Sequence, residues 1–208
     1  MPFTAPNILT LLRIGMVPVF VVAFYLTIAW SNELATALFI VAGITDWLDG
    51  YLARRLNQTS KFGAFLDPVA DKLMVTTALV LLVGDDGVRS QVISEELFTV
   101  VAAIIIAREF VVSALREWMA ELGKRASVAV SIIGKVKTIL QFVAISMLVY
   151  RDPLGPIPTI DLGESLLYAA AALTVWSMLA YLRAASTTLS GSSAFAPQAG
   201  EKPSRRVT

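Results

Sequence analysis

The chain contains no cysteine and no histidine among its 208 residues. Their absence excludes disulfide bonds, thiolate nucleophiles, imidazole bases and the usual ligands of a zinc site. Any catalysis must therefore use carboxylates, amines, hydroxyls or metal ions held by oxygen atoms. A large excess of either charge is also missing, since the formal net charge is +1. Charge therefore gives no indication of a nucleic-acid partner, and we expect none.

Long apolar runs dominate what is present. Hydrophobic residues make up 56% of the chain and the mean hydropathy is +0.71, whereas soluble domains contain about 45–50% apolar residues. A helix of roughly 20 mostly apolar residues can cross a bilayer. The pattern predicts an all-α membrane protein with six transmembrane helices, at about Asn7–Trp30, Glu33–Arg54, Ser60–Val83, Ile93–Glu117, Ser127–Tyr150 and Leu162–Ala185. The short links predict that consecutive helices pack as antiparallel neighbours.

The links between these helices differ in charge, and the difference indicates an orientation. Basic residues accumulate in the cytoplasmic loops of membrane proteins. One set of links, together with the C-terminal segment, carries Arg54, Arg55, Lys61, Lys124, Arg125, Lys202, Arg205 and Arg206. The opposite set contains only Arg89 and Arg151 as cations. We therefore expect both termini and the basic links on the cytoplasmic side, with the first helix retained and not cleaved as a signal peptide.

Four aspartates follow helical spacing on either side of a basic turn. Asp46 and Asp49 lie near the end of the second predicted helix, and Asp67 and Asp71 lie near the start of the third. Residues three or four apart share a helix face, so the two pairs can face each other. Four carboxylates at one depth repel each other unless a cation lies between them. Carboxylate oxygens are ligands that Mg²⁺ prefers, and the set predicts a site for two divalent ions.

The residues between these aspartates suit a diphosphate. Gly50 and Ala53 leave one flank of the second helix nearly bare, and Gly63 does the same on the third. Arg54 is a bidentate phosphate donor, and the hydroxyl of Ser60 can cap the third helix or contact phosphate. The alternative is that the carboxylates only form ion pairs at the membrane interface, with Arg54, Arg55, Lys61 and Lys72 as partners.

The order of fixed positions in this segment is specific. It consists of Asp46, Asp49, Gly50, Ala53, Arg54, Gly63, Asp67 and Asp71. This arrangement resembles the signature of the CDP-alcohol phosphatidyltransferases, with every fixed position filled. The resemblance implies six helices, a polar cavity open to the cytoplasm, a homodimer and two divalent ions, Mg²⁺ or Mn²⁺. It further implies metal ligation by all four aspartates, with Asp71 also the catalytic base. The residues implied to contact the CDP portion are Asn7, Thr10, Gly50, Ala53, Arg54, Ser60 and Gly63.

Cations in the later helices indicate an anionic acceptor alcohol. The candidates for binding its phosphate are Arg108, Arg116, Lys135, Lys137 and Arg183. The alternative is that these side chains extend to lipid headgroups at the helix ends. The segments Asn7–Phe20 and Ala107–Gln141 resemble the bacterial family members that use sn-glycerol 3-phosphate and form phosphatidylglycerophosphate. Arg183 suits an acceptor-phosphate contact of relatives.

The resemblance implies a reaction between CDP-diacylglycerol and glycerol 3-phosphate in the bacterial cytoplasmic membrane. Other acceptors within the family are inositol phosphate, or phosphatidylglycerol for cardiolipin synthesis. A divalent-cation transporter is the alternative from another class, but the chain lacks the internal repeat typical of many transporters. A scaffold without activity would be expected to lack signature positions. We assign residues 1–186 to the catalytic transmembrane domain and 187–208 to a disordered cytoplasmic tail, because that tail is rich in Ser, Gly, Ala and Pro.

Overall fold

The computed structural model describes residues 5–56, 61–121 and 132–190. These residues form seven helices: α1 Ala5–Tyr25, α2 Ser31–Leu56, α3 Lys61–Gly84, α4 Asp86–Arg89, α5 Glu95–Glu121, α6 Ile132–Tyr150 and α7 Thr159–Ser190. No strand occurs within these ranges, where the only β-type pairing is an isolated bridge between Leu154 and Ile157. The prediction of an all-α protein is confirmed. Each of the six predicted spans overlaps one of the six long helices.

Two features of the helices differ from the prediction. The short helix α4 was not predicted; Asp85 caps it by accepting a hydrogen bond from the Val88 backbone N–H at 2.9 Å. Helix α7 continues to Ser190, past the predicted domain boundary at residue 186. The rest of the predicted tail, 191–208, lies outside the described residues.

Three of the described helices contain a segment long and apolar enough to cross a membrane. These segments are Asn7–Tyr25 in α1, Glu95–Leu115 in α5 and Thr159–Leu179 in α7. Shorter apolar stretches occur at Lys72–Gly84 and Val136–Tyr150. The finding supports a membrane protein, while the number of six crossings stays a prediction.

Helix α1 packs against α2 and α3, and α6 packs against α7, α2 and α3. Helix α5 completes the bundle by packing against α7 and α3. The core between them is apolar and rich in fully buried phenylalanines, with Phe20, Phe39 and Phe98 each at most 1% exposed. Helices α1, α2, α3 and α6 therefore meet around one region, and α5, α6 and α7 meet around a second.

One end of the bundle is made by the links at residues 26–30, 85–94 and 151–158, and we call it the loop end. The Asn32 amide donates to Asp152 at 2.8 Å, which joins the start of α2 to the third of these links. Arg151 lies over the ring of Phe24, 4.1 Å from its centroid, and its Nη2 is 3.3 Å from Asp85 Oδ2. The loop end is therefore held together by contacts of the third link with the second link and with the adjoining ends of α1 and α2.

Candidate active site

An ion pair joins α1 to α2 inside the bundle. Arg13 Nη1 donates to Asp46 Oδ1. The arginine side chain is only 2% exposed, whereas the aspartate side chain is 45% exposed. Asn7 and Thr10, which precede Arg13 on α1, are also buried. Helix α1 therefore carries polar residues into the interior beside α2, next to the first aspartate of the predicted cluster.

A cavity of about 460 Å³ adjoins this ion pair, between α1, α2, α3 and α6. Its apolar wall includes Phe39, Ala42, Gly43, Met74, Val75 and Phe142. Its polar lining comes from Arg13, Asp46, Thr138 and Gln141. Gln141 is 6% exposed, and its Oε1 has no hydrogen-bond partner in the described structure. The cavity thus combines an apolar body with charged and amide groups, which suits an amphipathic ligand.

The absence of a side chain at Gly43 determines the shape of this cavity. A Cβ atom added there would lie 2.3 Å from Cε2 of Phe142, closer than any real contact. The Phe142 ring stacks on Phe39, with centroids 5.2 Å apart and an interplanar angle of 21°. Glycine at position 43 therefore allows an aromatic side chain of α6 to lie directly against α2.

A second buried group of charges joins α5, α6 and α7. Glu109 Oε1 accepts hydrogen bonds from Lys137 Nζ at 2.7 Å and from Arg108 Nη1 at 2.9 Å. The other guanidinium nitrogen of Arg108, Nη2, is 3.2 Å from Ser177 Oγ. The side chains of Lys137, Arg108 and Glu109 are 3%, 7% and 24% exposed. We call these four residues the Glu109 cluster.

The Glu109 cluster brings together two of the five cations predicted to bind the acceptor. Arg108 and Lys137 do not extend to lipid headgroups, because both side chains are buried and paired within the protein. Arg116 lies in α5, Lys135 in α6 and Arg183 in α7, and their side chains are outside the described set. Glu109 and Ser177 were missed by the sequence analysis, since nothing local distinguishes them from ordinary helix residues.

Of the four aspartates in the predicted metal cluster, only Asp46 has a side chain that the structure describes. Asp49 lies in α2, and Asp67 and Asp71 lie in α3, but their side chains are outside the described set. The same holds for Gly50, Ala53, Arg54 and Gly63, while Ser60 lies between the described ranges. Among the side chains that are described, no three acidic groups gather as metal ligands. The cluster therefore stays a prediction.

Asp46 itself has the chemistry that a divalent cation requires. Its carboxylate is nearly half exposed, lines the cavity, and forms a described ion pair through Oδ1 alone. Its partner is the buried Arg13 from α1, and not one of the interfacial cations considered in the sequence analysis. An oxygen ligand with an open side fits Mg²⁺ or Mn²⁺, ions that complete their shells with several oxygens.

Comparisons with known proteins cover nearly the whole chain. The sequence model of a family described as CDP-alcohol phosphatidyltransferase matches residues 3–176. A protein of Escherichia coli strain K12 named CDP-diacylglycerol–glycerol-3-phosphate 3-phosphatidyltransferase is 51% identical over 192 residues, which cover 91% of this chain and 98% of that protein. Proteins with the same name match from Shigella flexneri serotype 5b, at 51% over 189 residues (91% and 98% covered), and from Pectobacterium atrosepticum, at 51% over 186 residues (89% and 96% covered).

Proposed function

The chain belongs to the CDP-alcohol phosphatidyltransferase family, and from this premise we propose that it transfers the phosphatidyl group of CDP-diacylglycerol to sn-glycerol 3-phosphate. The products are phosphatidylglycerophosphate and CMP. The observation that carries the proposal is the 51% identity to phosphatidyltransferases of that name over 91% of the chain. The match to the family model, over residues 3–176, includes the Arg13–Asp46 pair and the three charged residues of the Glu109 cluster.

The lipid donor fits the region around Asp46. The apolar body of the 460 Å³ cavity suits the diacylglycerol portion, and its polar lining suits the glycerol and diphosphate portions. The cytidine diphosphate would contact the signature residues of α2 and α3 and the start of α1. The residues proposed for these contacts are Asn7, Thr10, Gly50, Ala53, Arg54, Ser60 and Gly63. A lipid bound in this way keeps its acyl chains in apolar surroundings while its headgroup reaches the carboxylates.

Divalent ions are proposed for the carboxylates next to this cavity. The family is generally dependent on divalent metals, and the open carboxylate of Asp46 fits that requirement. Asp46, Asp49, Asp67 and Asp71 would hold two ions, Mg²⁺ or Mn²⁺. When bound, such ions neutralise the diphosphate and favour in-line displacement at phosphorus.

The chemical step in this proposal is one displacement. Asp71 would accept the proton from the 1-hydroxyl of glycerol 3-phosphate. The acceptor oxygen then forms a bond to the phosphorus next to diacylglycerol, and the bond from that phosphorus to the oxygen of CMP breaks. Arg54 would donate two hydrogen bonds to the diphosphate. Since a carboxylate is a weak base, holding both reactants in line accounts for much of the proposed acceleration.

The acceptor's phosphate would be bound by the cations of α5, α6 and α7. Arg108 and Lys137 are buried and belong to one cluster, and Arg116, Lys135 and Arg183 lie on the same three helices. Arginine offers a planar pair of donors and lysine a compact charge, and both are suited to phosphate.

The arrangement in the membrane is also part of the proposal. Six crossings would leave both termini, the basic links and the polar cavity on the cytoplasmic side of a bacterial inner membrane. Residues 1–186 would form the catalytic domain, with 187–208 as a tail, and two copies would associate as a homodimer. Both substrates are then available, one from the bilayer and the other from the cytoplasm.

The decisive test is an assay of the purified protein in detergent with CDP-diacylglycerol and radiolabelled glycerol 3-phosphate. We expect lipid-soluble label that requires CDP-diacylglycerol, disappears with EDTA and returns with Mg²⁺ or Mn²⁺. Inositol phosphate and phosphatidylglycerol serve as competing acceptors. Release of CMP with one of these acceptors, and no lipid-soluble label from glycerol 3-phosphate, would contradict the proposed acceptor while leaving the reaction class intact.

A further inference from the structure

Glu109 is an acidic residue within a group of cations that the proposed function assigns to a phosphate. One of its oxygens, Oε1, accepts from both Lys137 and Arg108, at 2.7 and 2.9 Å. The contact to Lys137 joins residues 28 positions apart and so links α5 to α6. Nothing in the proposed chemistry uses this carboxylate, and a carboxylate repels a phosphate. Its presence therefore requires a separate physical reason.

Burial of the two cations supplies that reason. The side chains of Lys137 and Arg108 are 3% and 7% exposed. A buried ammonium without a nearby anion either loses its proton or moves toward water. The carboxylate of Glu109 allows Lys137 to stay charged inside the bundle. One anion serves two cations, so these three side chains together retain one positive charge.

Arg108 is held from two directions. Nη1 donates to Glu109, its neighbour on α5, and Nη2 lies within hydrogen-bonding distance of Ser177 Oγ on α7. The Ser177 hydroxyl in turn donates to the Thr174 backbone carbonyl at 2.9 Å, which fixes the hydroxyl on α7. The guanidinium therefore has a set orientation before any ligand binds, and such preorganisation lowers the cost of binding an anion.

We infer that Glu109 is a positioning residue for the acceptor's phosphate: it keeps Lys137 charged and holds Lys137 and Arg108 in a fixed pair without contacting the substrate itself. This inference rests on the proposed function, since it takes the ligand of the pair to be the phosphate of glycerol 3-phosphate. Its effect is confined to the acceptor side of the reaction. The proposed donor site lies around Asp46, between α1, α2, α3 and the part of α6 that follows Lys137, and none of its lining residues belongs to the Glu109 cluster.

The test is the variant Glu109→Gln, which keeps the size of the side chain and removes its charge. We expect the KM for glycerol 3-phosphate to rise roughly tenfold or more, the typical effect of losing a hydrogen bond to a charged group. The KM for CDP-diacylglycerol and kcat should stay within about twofold of the wild-type values. The matched control is Glu117→Gln, the same change at an exposed position on the same helix.

A double-variant cycle separates positioning from general support of the fold. In a Lys137→Met background, Glu109→Gln should raise the glycerol-phosphate KM by a clearly smaller factor than in the wild-type background, because one of the two cations that it holds is already gone. Glu109→Asp, which keeps the charge on a shorter side chain, should give a smaller rise than Glu109→Gln. Independent effects of the two substitutions, or equal rises in both KM values, would overturn the inference.

Two further outcomes are distinguishable. If the wild-type enzyme incorporates no glycerol 3-phosphate, the proposed function fails before any variant is compared. If the wild type is active and Glu109→Gln leaves the acceptor KM unchanged, the inference alone fails. If thermal unfolding in detergent shows that Glu109→Gln is not folded, the test uses Glu109→Asp in its place. An unchanged KM for glycerol 3-phosphate in that variant overturns the inference.

Discussion

Two arginines with aspartate partners, Arg13 and Arg151, lie in different parts of the bundle and differ in what surrounds them. Arg151 lies at the loop end, against the Phe24 ring and 3.3 Å from Asp85, and its φ of 62° turns the chain sharply after α6. Arg13 lies inside α1 and pairs with an aspartate whose carboxylate borders a cavity. A partly buried charge pair therefore does not by itself indicate a functional site, and the adjoining space makes the difference.

The contrast extends to the acidic residues. Glu164 is 1% exposed, and its carboxylate accepts from the Ile93 backbone N–H at 3.1 and 3.2 Å and from the Tyr168 hydroxyl at 2.6 Å. Both of its oxygens are used by the protein, which ties the link before α5 to α7. Asp46 is 45% exposed and has one described partner. The first carboxylate is saturated by protein donors, and the second has room for a ligand.

Distance from the helix ends is consistent with this division. Asp46 lies ten residues before the end of α2 at Leu56, or about 15 Å along the axis. Glu164 lies five residues after the start of α7, or about 7 Å. Ionisable residues deep inside membrane helices are costly and are usually kept for function. Glu164 is buried within the apolar segment of α7, and the protein donors that saturate it join α7 to the link before α5.

The largest effect is expected from Asp46→Asn. The amide keeps the shape and can still accept from Arg13, but it removes the charge of a proposed metal ligand. We expect turnover to fall about a thousandfold or more, as for loss of a group that stabilises charge in the transition state. The measurement is the radiolabel assay with saturating substrates, together with thermal unfolding in detergent. Near-normal turnover would be strong evidence against a metal role for this residue.

The matched control for this variant is Asp85→Asn at the loop end. Asp85 has an arginine partner too, and it caps α4. Asparagine is an equally good capping residue, so stability and turnover should both change little. A loss of turnover in this control as large as that of Asp46→Asn would remove the distinction between the two regions.

The next effect is expected at Glu164. Leucine at this position would leave the Ile93 N–H and the Tyr168 hydroxyl without their acceptor inside the protein. An unsatisfied buried polar group costs about 1–3 kcal/mol, so the free energy of unfolding should fall by roughly that amount or more. Thermal unfolding in detergent measures the loss, and kcat and both KM values of the folded enzyme should stay unchanged. Lower turnover at unchanged stability would instead connect the loop end to catalysis.

The helices were predictable because hydropathy depends on local sequence. All six long helices overlap predicted spans, whereas α4 was missed because four residues give no periodic signal. Three segments are apolar enough to be recognised as crossings in the described structure. Helix α2 is less apolar than these helices, because it contains Asp46, Asp49, Arg54 and Arg55. The charged residues of α2 that carry the proposed function thus lower the hydropathy by which this helix would be recognised as a membrane crossing.

The site was less predictable because its contacts are distant in sequence. The signature drew attention to Asp46, but its partner Arg13 lies 33 residues away on α1. Glu109 follows Arg108 directly, and an adjacent acid and base give no indication of a cluster. Ser177 contacts Arg108 across 69 residues. Such pairs follow from which helices become neighbours, and hydropathy does not determine that.

The smallest effect is expected at Gln141. An apolar side chain at this position would favour the stability of the bundle, whereas the amide would favour binding of the donor lipid in the cavity. Its buried Oε1 has no partner in the described structure, so Gln141→Leu removes an unsatisfied polar atom and should leave stability equal or slightly higher. If the amide binds a polar group of the donor lipid, the same change should raise the KM for CDP-diacylglycerol roughly three- to tenfold. The KM for glycerol 3-phosphate should stay the same.

The control is Gln91→Leu, at an exposed loop-end position, which should change neither KM. An unchanged donor KM together with lower stability in Gln141→Leu would mean that the amide supports the fold, and the cavity would then lose its proposed role as the lipid site.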